Sequence, residues 1–234
     1  MKSNQKIKLA ELIGIILGDG HLHKKQNKIT IVGSLEDFYY YRYYVVPLIK
    51  SLFDVNPKLR KRNDRNAYYI DFSSKKVMNF LSEECGMIRG NKVNAKIPRF
   101  IINDKKLIPY FLRGLFDTDG CLKFSKQGKD INYYPRIQIA IKESFFSEEI
   151  GLIMDQIGFQ YGKWLELRKD NWSNSTFYHI SGKENLERWM HEIGSNNPVH
   201  KSKYLFWKKL GYYIPLSSLN DRLNTLNLKI EGFF

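Results

Sequence analysis

Two periodicities take turns along the chain. The stretch KLAELIGIILG (8–18) is apolar on nearly every face, which predicts a buried helix. A strand opens with KITIV (28–32). Residues 36–53 suit an aromatic-rich helix ending near Asp54. KLRKR (58–62) and AYYIDFS (67–73) carry the every-second-residue alternation of a hairpin pair. A helix over 74–85 follows, with Ser73 or Ser74 as its N-cap and Gly86 just beyond its end. The order then returns: helix 108–118, strands near 121–126 and 134–142, helix 145–157, strands 162–169 and 176–181, helix 183–193.

The return is an internal repeat. Shifted by 108 positions, LRKRN (59–63) falls on LRKDN (167–171), Ile29 on Ile137, Ile31 on Ile139, Ser73 on Ser181 and Gly86 on Gly194. A period this long marks a duplicated unit rather than a solenoid. We expect an α/β (α+β) fold: two αββαββα units, 1–89 and 108–234, related by a pseudo-twofold axis. The second carries a C-terminal extension, and 90–107 connects the two.

Alternation within the strands separates two sheet faces. In RIQIAIK (136–142), Ile137, Ile139 and Ile141 point one way, while Arg136, Gln138 and Lys142 point the other with Ala140. In the strand near 162–169, Leu165 and Leu167 share the side expected to lie under helices, opposite Trp164, Glu166 and Arg168. The polar face offers residue types that contact phosphates and base edges. Charge strengthens that reading. Lys and Arg number 38 against 24 Asp and Glu, a net +14 over 234 residues, which attracts polyanions. Cys85 and Cys121 form no C-x-x-C pair, so a disulfide framework or a zinc site is not expected. No run reaches the ~20 apolar residues of a membrane span. A soluble, intracellular monomer with no protein partner is the expectation.

Two nine-residue stretches carry the chemistry. LIGIILGDG (12–20) and LRGLFDTDG (112–120) each end an apolar segment in Asp-Gly. With Gly20 and Gly120 after the helix ends, Asp19 and Asp119 close two buried helices. The helix C-terminus is already partly negative, so an acid there costs ~0.3–1 kcal/mol unless a cation is bound. Gly14 and Gly18, matched by Gly114 and Thr118, strip the side chains from one helical stripe. The two helices can then touch and set both carboxylates side by side. Two such acids need a cation between them. Carbonyl oxygens at Gly18 and Thr118 would add hard donors suited to a divalent ion.

Both stretches resemble the LAGLIDADG motif, the first at Leu12, Gly14, Asp19 and Gly20, the second at Leu112, Gly114, Leu115, Asp117, Asp119 and Gly120. The chain is similar over residues 8–200 to single-chain LAGLIDADG homing endonucleases. The resemblance implies a saddle of β-strands over double-stranded DNA. It also implies Mg²⁺-dependent hydrolysis of both strands across the minor groove, with short 3′ overhangs; Mn²⁺ or Ca²⁺ could occupy the same site. Asp19 and Asp119 match the family's metal-binding catalytic position. Lys142 matches a basic residue near the scissile phosphates. Thr30, Ser34, Arg60, Arg62, Tyr68, Arg136, Gln138, Lys142, Trp164, Glu166 and Arg168 are the candidate DNA contacts.

Two departures break the symmetry. Leu17 stands where the second motif has Asp117, which suggests a structural role for Asp117. Ser34 stands opposite Lys142. The alternatives are a cleavage-deficient family member acting as an RNA maturase or DNA-binding regulator, and an intein-borne domain. The start MKSNQ, without a splicing Cys or Ser at its first position, favours a free-standing, intron-encoded protein. The unmatched lysine makes a testable asymmetry. Lys142→Ala is expected to slow cleavage of one DNA strand more than the other, scored on singly end-labelled duplexes; equal slowing removes the assignment.

Overall fold

The computed structural model describes residues 2–167 and 173–234; Arg168 therefore lies outside the described residues. Helix α1 (Ser3–Gly18) leads into strands β1 (Gly20–Leu22) and β2 (Lys28–Ser34). Next comes one helical run built of α2 (Phe38–Tyr40), a widened π turn at Tyr41–Val45, and α3 (Val46–Phe53). Pro47 follows that turn. A proline ring clashes with the carbonyl four residues back, and a widened turn relieves such a clash. Strands β3 (Lys58–Lys61) and β4 (Ala67–Ser73) and helix α4 (Lys75–Asn79), continued by a π turn at Phe80–Glu84, complete the first unit. The predicted N-cap is Ser74, whose hydroxyl accepts from the Val77 N–H at 3.3 Å.

A short helix α5 (Arg99–Ile102) lies in the connection. The second unit repeats the first with α6 (Ile108–Asp119), β5 (Gly120–Ser125), β6 (Tyr134–Lys142), α7 (Phe145–Gln156), β7 (Gly162–Glu166), β8 (Ser175–Ser181) and α8 (Lys183–Glu192). Helices α9 (Pro198–Leu210) and α10 (Leu219–Leu226) form the extension. Each unit holds a four-stranded antiparallel sheet, in the orders β1-β2-β4-β3 and β5-β6-β8-β7.

The shift of 108 holds where the register can be read: Ile31 pairs with Ile70 as Ile139 pairs with Tyr178. It fails at the edge strands. Arg60 pairs with Tyr69, and the residue pairing with Phe177 is Trp164, a shift of 104. The LRKRN/LRKDN likeness is therefore not a structural equivalence. Leu59 packs on the core, whereas Leu167 lies beyond β7 and is 71% exposed. Leu165, expected under helices, is also exposed. Eight residues separate the end of β7 from the start of β8, against five between β3 and β4, which moves the paired part of β7 back along the sequence. An edge strand has one neighbour, so pairing rather than sequence likeness sets its register.

The core is continuous across both units and centres on α1 and α6, with Leu12, Ile13, Ile15, Leu112 and Leu115 fully buried. The helices touch backbone to backbone. A Cβ at Gly14 would stand 2.2 Å from the Phe111 carbonyl oxygen, and one at Gly114 would stand 2.1 Å from that of Glu11. Across the same seam, the Arg113 guanidinium donates to the buried Glu11 carboxylate, with Nε to Oε1 at 3.0 Å. Gly14→Ala or Gly114→Ala should cost about 3 kcal/mol or more in urea unfolding, because backbone must move to admit the methyl. A loss below about 1 kcal/mol would mean the helices are free to separate.

Candidate active site at the helix seam

Asp19 caps α1: its N–H donates to the Ile15 carbonyl at 3.0 Å, and its own carbonyl accepts from the Val32 N–H at 3.1 Å. Asp119 is the last residue of α6. The missing Cβ of Gly18 would lie 3.5 Å from Asp119 Cγ and 2.1 Å from Thr118 Oγ1. The small-residue stripe thus brings both acids to one point. Thr118 turns its hydroxyl back onto its own helix, donating to the Gly114 and Leu115 carbonyls at 3.0 Å each.

Burial, followed by the neighbouring Asp119 charge, pushes the Asp19 carboxyl up to about 7. Burial pushes Asp119 up to about 6, against the pull of Lys92. The Tyr41 hydroxyl donates to Asp19 Oδ2 at 2.9 Å. It passes over Gly33, where a Cβ would meet it at 2.3 Å. Tyr41 sits at the start of the π turn, so local helix geometry sets this contact.

Lys92 is the residue the sequence did not single out. Its Nζ donates to the Leu17 and Gly18 carbonyls at 2.8 and 2.6 Å. A cation at a helix C-terminus is favourable, and this one faces both aspartates. Burial lowers its pKa below the usual lysine range. In the second unit the carbonyl matching Leu17, that of Asp117, accepts instead from the neutral Asn197 amide at 3.0 Å. One helix end is closed by a cation and the other by an amide. The Gly18 carbonyl, expected to face a metal, is taken by Lys92. Lys92 lay in the stretch read as connection, and it reaches the site across 75 residues with no periodicity to announce it.

Asp117 takes no part in the acid pair. It is fully buried; Ser195 Oγ donates to its Oδ1, and the Asn196 N–H to its Oδ2 at 2.7 Å. Burial pushes it up to about 7. The Asn196 amide also donates to Glu11 Oε1 at 2.7 Å, and the Asn197 amide to Asp37 Oδ1 at 2.8 Å. The turn after α8 therefore ties the two units together beneath the acids.

The remaining candidates spread over the two sheets. Gly20 pairs with Ile31 and Gly120 with Ile139, which puts Ser34 and Lys142 on the strand ends beyond the aspartates. Ser34 caps a turn by donating to Asp37 Oδ2 at 2.8 Å, and Lys142 is exposed. Thr30 Oγ1 lies 3.0 Å from His23 Nε2. Gln138 is buried and accepts from Lys123 Nζ at 3.2 Å; Arg136 Nε donates to Ser181 Oγ at 3.2 Å. Arg60 forks onto Asp71 (3.2 and 3.3 Å) and Arg62 onto Asp64 (2.9 and 2.8 Å). The exposed Arg62–Asp64 pair is worth little, whereas Asp71 is buried and also holds Lys28 Nζ at 3.1 Å. Trp164 stacks on Phe177, and Glu166 lies opposite Ser175. Tyr68 faces the helices, 5.0 Å from the Phe38 ring; its neighbour Tyr69 takes the open face with Arg60.

The donor set fits a hard divalent cation, which takes oxygen ligands: two carboxyls held at one buried point, each displaced upward chiefly by burial. No group of three or more His, Cys, Asp or Glu side chains gathers among the described residues, so a cation there would need further oxygen ligands besides these two carboxyls. No helix among them is long and apolar enough to cross a membrane.

A family model described as a LAGLIDADG-like domain matches residues 107–194. The glutamine–fructose-6-phosphate aminotransferase of Methanocaldococcus jannaschii is 25% identical over 195 residues, 80% of this chain and 16% of that protein. The replication factor C small subunit of the same organism is 30% identical over 208 residues, 87% of this chain and 10% of that protein. The chain thus spans less than a fifth of either relative. Among solved structures, I-DmoI in complex with DNA and Mn is 18% identical, covering 81% of this chain and 97% of that one, with a TM-score of 0.54. The N-terminal LAGLIDADG domain of DUF199/WhiA is 19% identical, covering 81% and 82%, with a TM-score of 0.51. Both likenesses establish the fold.

The raised carboxyls set a pH dependence. In the folded state Asp19 keeps its proton to about 7 and Asp119 to about 6, against 3.8 when unfolded. Between those values the folded state binds more protons, so these groups lower stability as pH rises. His200, buried and driven down to about 3, acts in the opposite sense. The test is therefore a difference. Calorimetry without divalent ions should show Asp19→Asn gaining melting temperature over the parent chain at pH 8 more than at pH 5. Calcium should stabilise the parent chain chiefly at pH 8. An equal Asn effect at both pH values contradicts the assignment.

Proposed function

By its fold the chain belongs among the LAGLIDADG proteins, and on that premise we propose that it is a site-specific DNA endonuclease. It makes double-strand breaks in a long, asymmetric target by divalent-cation-dependent hydrolysis. The observation that carries this reading is the pair of aspartates buried together at the α1–α6 seam, in a chain of net charge +14.

Asp19 and Asp119 would hold the cation, magnesium in the first instance. When bound, it activates the attacking water and offsets charge gathering on the phosphate and leaving oxygen. The chain's own groups do the rest. Tyr41 fixes Oδ2 of Asp19, which leaves Oδ1 for the cation. Lys92, bound to two helix-end carbonyls, keeps a donor beside the acids and balances their charge. Lys142 and Arg136 engage phosphates and fix the duplex register. Because Lys92 and Asn197 close the two helix ends differently, the two strands meet unequal surroundings.

The fold's appearance in I-DmoI bound to DNA and Mn, with related structures carrying Ca and Mg, supports the substrate and the cofactor. The same fold in DUF199/WhiA supports the rival reading of a regulator or maturase that binds nucleic acid without cutting it. Retention of both aspartates favours the nuclease. The two relatives are much longer proteins of unrelated chemistry, which suits an element that inserts into different hosts.

Incubation with Mg²⁺ and a randomised duplex library should give breaks at one long site, abolished by EDTA. Asp19→Asn and Asp119→Asn should each cut double-strand cleavage at least about a hundredfold while leaving binding in Ca²⁺ within about threefold. Tight binding without cleavage under any divalent ion would select the rival reading.

A further inference from the structure

Across each sheet the open face is laid out in rows fixed by strand register. One row in the first unit reads Val32–Tyr69–Arg60. The same row in the second reads Ala140–Phe177–Trp164. The first two positions differ by 108 and the third by 104, so Trp164 occupies the place of Arg60. A guanidinium in one half has become an indole in the other.

That indole is held rigidly. Its ring lies 4.9 Å from Phe177 at an interplanar angle of 6°, and 5.1 Å from His179. The His179 ring crosses Gly162, where a Cβ would stand 2.0 Å from it. Burial, followed by the Arg136 charge, lowers the pKa of that imidazole. Yet Trp164 is still 38% exposed, in a face that also carries Arg136, Lys123, Lys142 and Glu166. An apolar ledge in a mainly cationic face suits a polyanion that offers an apolar group at that depth. In the major groove, which admits a β-ribbon, the thymine C5-methyl is the only such group on an unmodified base edge.

Resting on the DNA-binding reading above, we propose that the Ala140–Phe177–Trp164 strip reads thymine methyl groups in the half-site facing the second unit. The first unit, with Arg60 in that place, reads its half-site through hydrogen bonds, for which guanine is the matching edge. The two half-sites then differ in the kind of contact as well as in sequence.

The test takes duplexes selected by the intact chain in Ca²⁺ and replaces thymine by deoxyuridine, one half-site at a time. Fluorescence anisotropy should show a loss of about fourfold in affinity per buried methyl in the half facing the second unit, and little in the other. Trp164→Ala should abolish that penalty. Arg60→Ala should weaken binding overall and leave the penalty in place. Equal deoxyuridine effects in both halves, or a penalty that survives Trp164→Ala, would overturn the proposal. Because the decisive change is in the DNA, the test does not depend on a variant that folds. Failure to select any duplex would instead overturn the DNA-binding reading on which it rests.

Discussion

Two helix backbones meet at Gly14 and Gly114 with no side chain between them, and everything else in the molecule is placed by that contact. It sets the distance between the units, and hence between their sheets. Because each aspartate lies five residues after its helix's contact glycine, it also sets where Asp19 and Asp119 fall. The acids occupy the dipole-disfavoured ends of two helices inside a desolvated seam, and their carboxyls are displaced upward as a result. Two acids so placed are costly to ionise together, and the helix packing keeps them from moving apart.

Beneath the acids lies a second layer whose work is mechanical. Glu11, Arg113, Asp117, Asn196 and Asn197 are joined by hydrogen bonds that run from one unit to the other. Partly satisfied, such a buried network would be a liability; connected as it is, it fixes one arrangement of the two units. It also explains why the second motif can carry an extra acid. Asp117 is spent on a turn 78 residues away, out of the groove.

The pseudo-twofold axis relates backbones more faithfully than chemistry. Lys92 faces Asn197, Ser34 faces Lys142 and Arg60 faces Trp164. A symmetric scaffold with asymmetric surfaces suits a target whose halves differ. It also means that neither half can be read from the other by copying residues across the repeat.

The sequence alone determined the parts that follow from local rules. Apolar runs predicted the buried helices, alternation the strands, and two Asp-Gly motifs with matched small residues the helix seam and its acids, because each depends on neighbours within a few positions. Tertiary structure decided the rest. The shift of 108 placed β2, β4, β6 and β8 correctly but misplaced β7, since the pairing of an edge strand depends on loop length and on one partner strand. Tyr68 and Tyr69 cannot be told apart in YY; the pleat turns one to the helices and the other to the groove. Lys92 had no periodicity, motif or symmetric partner. It acquired its place beside Asp19 only when the connecting chain folded back over the end of α1, where free carbonyl oxygens and two buried carboxyls made a cation favourable.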